Sequence, residues 1–209
     1  MISADEVLRV EKVHVWRGER HVLQGVSMQV GSGELLHVSG PNGTGKTTLL
    51  RVICGLLRPE QGRVAWRGRP IAEVRTAYQA DMAYASHEPA LKSDLSALEN
   101  LLFSVGLKRR IPPVELRSAL LATGVAACAD LPARVLSAGQ RRRVAMARVL
   151  AMQAGLWLLD EPFTNLDTAG GHLMSRLLQS HVLGGGSAVV VAHHDLALDC
   201  PVRRLELVP

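Results

Sequence analysis

Apolar residues recur along this chain with two different periods. Residues 7–16 (VLRVEKVHVW) and 21–30 (HVLQGVSMQV) alternate loosely with period two, broken at Gly18, and predict an antiparallel pair of strands. After the turn at Gly31, Ser32 and Gly33, residues 35–38 form a continuous apolar run that predicts a buried strand. A helix is expected to open at about Gly45 and to run to about Cys54, with Gly55 as its C-cap. A turn at residues 59–62 leads to a short strand at 63–66, and residues 82–86 read as another. Helical periodicity returns at 96–106 and 114–124, separated by the breakers Pro112 and Pro113. The helix at 139–153 sets Val144, Ala147, Val149 and Leu150 on a basic background. A buried strand at 156–159, a helix at 168–181, a glycine turn at 184–186, and strands at 188–192 and 205–208 complete the pattern. Strands alternating with helices predict an α/β fold with a mainly parallel sheet covered on both faces. Residues from about 88 to 135 read as a helical lobe inserted into that core.

Composition narrows this picture. A chain of 209 residues fits one domain, here taken as 1–209, with at most a small inserted lobe. Hydrophobic residues make up 47% and aromatic residues 3%, so aliphatic side chains must fill the core. The net charge of +5 permits a nucleic acid or an acidic membrane surface as partner. The arginines are dispersed, however, apart from Arg141, Arg142 and Arg143, and no aromatic residues interleave with these to stack on bases. No nucleic acid partner is expected. Cys54, Cys128 and Cys200 lie far apart without a C-x-x-C pair, which suits a reducing compartment and packing roles. The acidic start, Met1 to Glu6, lacks the apolar core of a signal peptide. Uncharged stretches such as 118–129 are too short to cross a bilayer, so a membrane role would need another subunit.

The candidate chemistry begins between the strand at 35–38 and the helix after it. Gly40, Gly45, Lys46 and Thr47 satisfy G-x-x-x-x-G-K-[ST] in the strand–loop–helix context which that pattern needs. The loop backbone points successive N–H groups at phosphate oxygens, and the helix N-terminus adds its positive dipole end. Gly40, Pro41, Asn42, Gly43, Thr44, Gly45, Lys46, Thr47 and Thr48 are therefore a candidate cradle for a nucleoside triphosphate. Lys46 would face the β- and γ-phosphates, and the Thr47 hydroxyl is a hard oxygen ligand for Mg2+. At the carboxyl end of the 156–159 strand, Asp160 is a second candidate magnesium ligand, and Glu161 is placed to activate a water attacking the γ-phosphate. Ser137 and Gly139 at a helix start offer a hydroxyl and bare N–H groups, the equipment of an anion site; an S-x-G-Q stretch also reads as an ordinary N-cap.

Taken together, the phosphate loop, Leu136-Ser-Ala-Gly-Gln140, the strand ending at Asp160 and Glu161, Asn165-Leu-Asp167 and the segment Ala192-His-His-Asp-Leu196 resemble the ATP-binding cassette family over nearly the whole chain. The resemblance implies a P-loop NTPase core sheet, an N-terminal antiparallel β lobe and the inserted helical subdomain. It implies ATP and Mg2+ as cofactors, and a homodimer in which Ser137, Gly139 and Gln140 of one subunit face the phosphate loop of the other. Asp167 would help to position the opposite site. His194, before Asp195, would be the histidine contacting the γ-phosphate, with His193 as the alternative. The adenine would pack on Trp16 or on Arg17, which stands where most relatives have tyrosine; Trp16 equally reads as strand packing.

Two departures from the family pattern matter. Ala138 replaces the usual first glycine of the signature, and His87 stands where a glutamine is usual, followed by a P-x-L-K-S-x-L-x-A-L-E-N-L run. That segment resembles the ATP-binding subunits of bacterial cytochrome c biogenesis haem exporters. This branch implies integral membrane subunits on separate chains and a peripheral position at the cytoplasmic face of the inner membrane. With no C-x-x-C-H, direct haem ligation is not expected. A cassette ATPase for another cargo, or a soluble one acting on DNA or the ribosome, are the alternatives.

Overall fold

The computed structural model describes residues 6–193, 195, 196 and 198–208. Strands β1 (Glu6–Arg17) and β2 (Arg20–Gly31) form a hairpin, followed by β3 (Leu35–Ser39) and helix α1 (Lys46–Ile53). Next come β4 (Gln61–Trp66), β5 (Arg69–Pro70), α2 (Arg75–Ala80) and β6 (Met82–Ala85). Helices α3 (Ala97–Gly106), α4 (Pro113–Ala122) and α5 (Ala138–Met152) precede β7 (Leu156–Asp160), α6 (Thr168–Leu183), β8 (Ser187–Val191) and β9 (Val202–Glu206). Two sheets result, an antiparallel one ordered β2-β1-β4-β5 and a parallel one ordered β6-β7-β8-β3-β9.

The parallel sheet follows from its sequences. Every residue of β7 and β8 is buried, as a sheet covered on both faces requires. Alternate residues serve opposite faces. Leu36, Val38, Leu158, Val189 and Val191 pack towards α1 and the antiparallel sheet. Leu35, Trp157, Leu159, Ala188 and Val190 pack with side chains of α5 and α6. A third cluster belongs to the inserted helices: Leu101 and Val105 of α3, and Leu116 and Leu120 of α4, close on Val144 and Ala147 of α5. Ser96 and Glu99 cap α3 reciprocally, at 3.1 and 2.7 Å. The lobe is tied to the core by Lys108, whose ammonium donates to the carbonyls of Gln79 and Met82 at 2.7 and 2.9 Å.

The structure departs from the periodicity reading in two places. The last strand runs from Val202 to Glu206, three residues before the apolar cluster suggests, because β9 is an edge strand paired only with β3. Its Arg203 and Arg204 stay exposed, with Arg203 reaching Glu34 at 2.8 Å, and charge on an edge resists further pairing. Helix α2 has no apolar period to announce it. Only Tyr78 is buried, its hydroxyl donating to Ile53 O at 2.8 Å.

Leu120 is fully buried in the lobe cluster. Leu120→Ala should destabilise the protein by about 3 kcal/mol in urea unfolding, since the cavity cannot collapse against three helices.

Candidate functional site

Strand register builds the site. Val38 of β3 and Asp160 of β7 both pair with Val191 of β8, so the carboxyl ends of three adjacent strands lie in one row. Ligands bind at such ends in open α/β sheets. Beyond the row, β3 delivers the phosphate loop, β7 delivers Asp160 and Glu161, and β8 delivers His193. These elements border a cleft of about 460 Å³, into which Lys46, Thr47, His87, Asp160, Glu161 and His193 all face.

The loop is shaped by its own backbone. Gly40 has φ +135°, and a Cβ there would stand 2.3 Å from the carbonyl oxygen of Leu207, so no other residue fits beside that backbone. Gly45, left-handed and without a side chain to cap α1, leaves the first N–H groups of the helix unclaimed by any cap. Lys46 is buried, and its ammonium donates to the carbonyls of Gly40 and Pro41 at 2.8 and 2.9 Å. A further cation, which sequence reasoning missed, braces this loop: Arg20 donates to Gly43 O at 2.7 Å. Arg17 and Arg20 line the cleft, adding positive charge beside Lys46. No motif announces Arg20, because its position depends on the β1–β2 hairpin folding back over the loop.

Opposite these cations sit two carboxylates. Asp160 is 1% exposed and Glu161 7%, and Asp160 Oδ2 and Glu161 Oε1 lack hydrogen-bond partners. His193 Nε2 approaches Glu161 Oε1 to 3.2 Å, within ion-pair range but without hydrogen-bond geometry. Glu161 has φ +53°, a left-handed conformation uncommon for a side chain, fixed by its N–H donating to Val191 O at 2.9 Å. Among the described residues no group of three or more His, Cys, Asp or Glu side chains is gathered as a metal site. A divalent cation here would take most ligands from phosphate and water, the habit of Mg2+. The orphaned Asp160 oxygen and the Thr47 hydroxyl fit that requirement.

The remaining candidates lie elsewhere. Trp16 is stacked on His21, with ring centroids 3.9 Å apart and planes 6° from parallel, and does not line the cleft as Arg17 does. Ser137, Gly139 and Gln140 do not line it either. Ser137 and Gln140 form a capping box on α5, which uses the Ser137 oxygen as acceptor and leaves its O–H free to donate. A Cβ on Gly139 would meet Asn165 O at 2.7 Å, so the α5 start and the 165–167 turn share one surface. Asp167 caps α6 through Gly170 N at 2.8 Å and pairs with Arg143 at 2.8 Å. The Gly170 N–H, aided by Arg143, holds its carboxyl below the usual range. His194 lies outside the described residues.

With the geometry in place, residues 23–164 match the profile described as ABC transporter. The chain belongs to the ABC transporter family. It is 44% identical, over 98% of its length and 94% of the relative's, to the cytochrome c biogenesis ATP-binding export protein CcmA of Nitrosococcus oceani. It is 43% identical to the protein of the same name from Methylococcus capsulatus, covering 98% of this chain and 99% of that one. It is also similar to a solved ATP-binding cassette, a dimer in a post-hydrolysis state bound to ADP and Pi, with TM-score 0.81 and 27% identity over 90% of this chain and 88% of that one. Within the ABC family it is a CcmA-type ATP-binding protein. Among the described residues no helix is long and apolar enough to cross a membrane.

The Asp167 geometry gives a signed pH dependence. A carboxylate whose folded pKa is depressed contributes stability above its unfolded pKa and loses it as pH falls through the folded value. Asp167→Asn keeps an acceptor for Gly170 but removes the charge facing Arg143. The stability deficit of this variant in urea should be present near neutrality and should shrink as pH falls below 3.8, the ordinary aspartate value.

Proposed function

We propose that this chain is the ATP-hydrolysing subunit of the cytochrome c biogenesis haem exporter, a translocase in which a dimer of cassettes drives membrane subunits on other chains. The observation that carries the ATPase reading is the cleft itself. A phosphate loop with a buried lysine faces two buried carboxylates, each with one oxygen that lacks a hydrogen-bond partner, and a magnesium–nucleoside triphosphate would bring anionic oxygens to the loop and a divalent cation to the carboxylates. Near full-length identity to the CcmA proteins supports the branch, as does His87 with the segment after it.

In this reading the loop N–H groups and Lys46 bind the β- and γ-phosphates of ATP. Thr47 and Asp160 would hold Mg2+, which would supply positive charge to the phosphate oxygens. Glu161 accepts the proton of the attacking water, and its buried, preset backbone aims the carboxylate without reorganisation. His194 touches the γ-phosphate. Ser137, Gly139 and Gln140 complete the partner's site, and Asp167 helps to align it; that a similar cassette bound to ADP and Pi is dimeric supports the dimer. Trp16 or Arg17 packs on the adenine, with Arg17 favoured by its position on the cleft. The protein would act peripherally at the cytoplasmic face of the bacterial inner membrane.

A second reading has one observation behind it. Among the described residues His193 approaches Glu161 and lines the cleft, so His193 would hold the γ-phosphate instead of His194. Alanine at each position separates the two: the phosphate-contacting histidine should cost at least about tenfold in kcat, its neighbour much less.

Glu161→Gln should keep MgATP affinity and lower kcat by about a hundredfold or more, because an amide cannot accept the proton. It should also accumulate an ATP-bound dimer in light scattering. In cells lacking their own CcmA-type subunit, the wild-type chain should restore c-type cytochromes and Glu161→Gln should not. Hydrolysis at the wild-type rate would remove Glu161 from the role of base, and failure of the wild-type chain to complement would remove the exporter assignment.

A further inference from the structure

The three arginines after the signature read from the sequence as one basic cluster, yet each is turned inward to a different target. Arg141 donates to the carbonyl of Leu136, just ahead of the N-cap of its own helix. Arg143 pairs with Asp167. Arg142 crosses to another part of the chain, donating to Ser86 O at 2.9 Å and to His87 O. It is 3% exposed, and its Nε has no hydrogen-bond partner. Burial lowers its pKa, opposed by the nearby charges of Asp160 and Glu161.

A buried guanidinium on a helix face that otherwise packs aliphatic groups is a costly choice, since an apolar side chain of similar size is often at least as stabilising. What arginine provides there is shape. Its planar fork grips two consecutive carbonyls, so the backbone at 86–87 is fixed in both position and direction. That segment follows β6, has no helix or strand of its own, and carries His87 into the nucleotide cleft. At its other end Arg142 sits two residues beyond Gln140 in a helix of 15 residues, one turn from Ser137 and Gly139. Helix α5 packs on both the helical lobe and the core sheet.

We propose that Arg142 is a positioning residue that locks the signature end of α5 to the His87 segment, so that closure of α5 on the partner's nucleotide is passed to His87 in this chain's own site. The proposal rests on the dimeric reading above. ATP bound in one site thereby sets the histidine of the other, through two hydrogen bonds and a rigid helix.

The test uses the full-length chain carrying Glu161→Gln, with and without Arg142→Met, which keeps bulk and removes the donors. Size-exclusion light scattering reports dimer formation with MgATP, and amide hydrogen exchange reports protection of residues 84–92. Without nucleotide, Arg142→Met should speed exchange in that segment by about tenfold. With MgATP, both proteins should dimerise with similar affinity, but only the Arg142 form should show a further gain in protection at 84–92. Equal gains in both dimers would overturn the proposal and leave the dimer reading intact. If the Arg142 form never dimerises, the dimer reading itself fails and takes the cross-site part of the proposal with it. Unchanged exchange without nucleotide would then also remove the local clamp. Should Arg142→Met fail to fold, Arg142→Lys replaces it; a loss of protection of about threefold is expected from a point donor in place of a fork, and unchanged protection overturns the proposal.

Discussion

The site depends on one constraint, the register of a parallel sheet buried on both faces. Val38, Val191 and Asp160 lie in one row across three neighbouring strands. A slip of one residue in β7 would turn Asp160 to the opposite face of the sheet and exchange its apolar neighbours between the two cores. Leu158 packs towards α1 while Leu159 packs with side chains of α5 and α6, so such a slip would misplace both at once. The hydrophobic effect, non-directional by itself, thus fixes where the carboxylates stand relative to the phosphate loop. The catalytic geometry is inherited from packing.

Helix α5 extends that constraint beyond the sheet. Val144 and Ala147 close the lobe cluster, and Met146 and Val149 belong to the core on the other side. A helix buried on two faces has little freedom to rotate. Polar groups along it therefore keep fixed partners, and its three successive arginines reach the carbonyl before its N-cap, a loop and a capping aspartate. The basic patch that composition hints at does not exist as an open surface.

What the sequence reveals is what is written locally. The phosphate loop, its strand and helix, the strand ending at Asp160, and α5 each combine a periodicity with a punctuating residue, and each is found within a residue or two of its expected position. What it conceals depends on chain segments far apart. Arg20 braces Gly43 only because a hairpin returns over the loop, and Arg142 looks like solvated charge until β6 is packed against α5. Helix α2 buries Tyr78 alone, which leaves no period to read. The closing strand was displaced because its pairing with β3, not its own hydrophobicity, decides where it begins. Trp16, legible as either a stacking platform or strand packing, lies against His21, a contact that needs the hairpin register to be foreseen.

The electrostatics of the cleft explain why so well packed a structure keeps an unsatisfied centre. Asp160 and Glu161 are adjacent, buried and of like charge, and each has an oxygen without a hydrogen bond. Lys46 does not neutralise them; it is held by the carbonyls of Gly40 and Pro41. Each unmade bond to a buried polar group costs about 1–3 kcal/mol, so a sequence selected for stability alone would remove these groups or pair them with one another. Keeping the lysine and the carboxylates apart leaves room between them for a ligand with anionic oxygens on one side and a divalent cation on the other. The rigid rows of β3, β7 and β8 make this separation durable, since a softer scaffold would relax until the charges met. Stability forgone in the cleft would then reappear as affinity for a ligand that satisfies both sides.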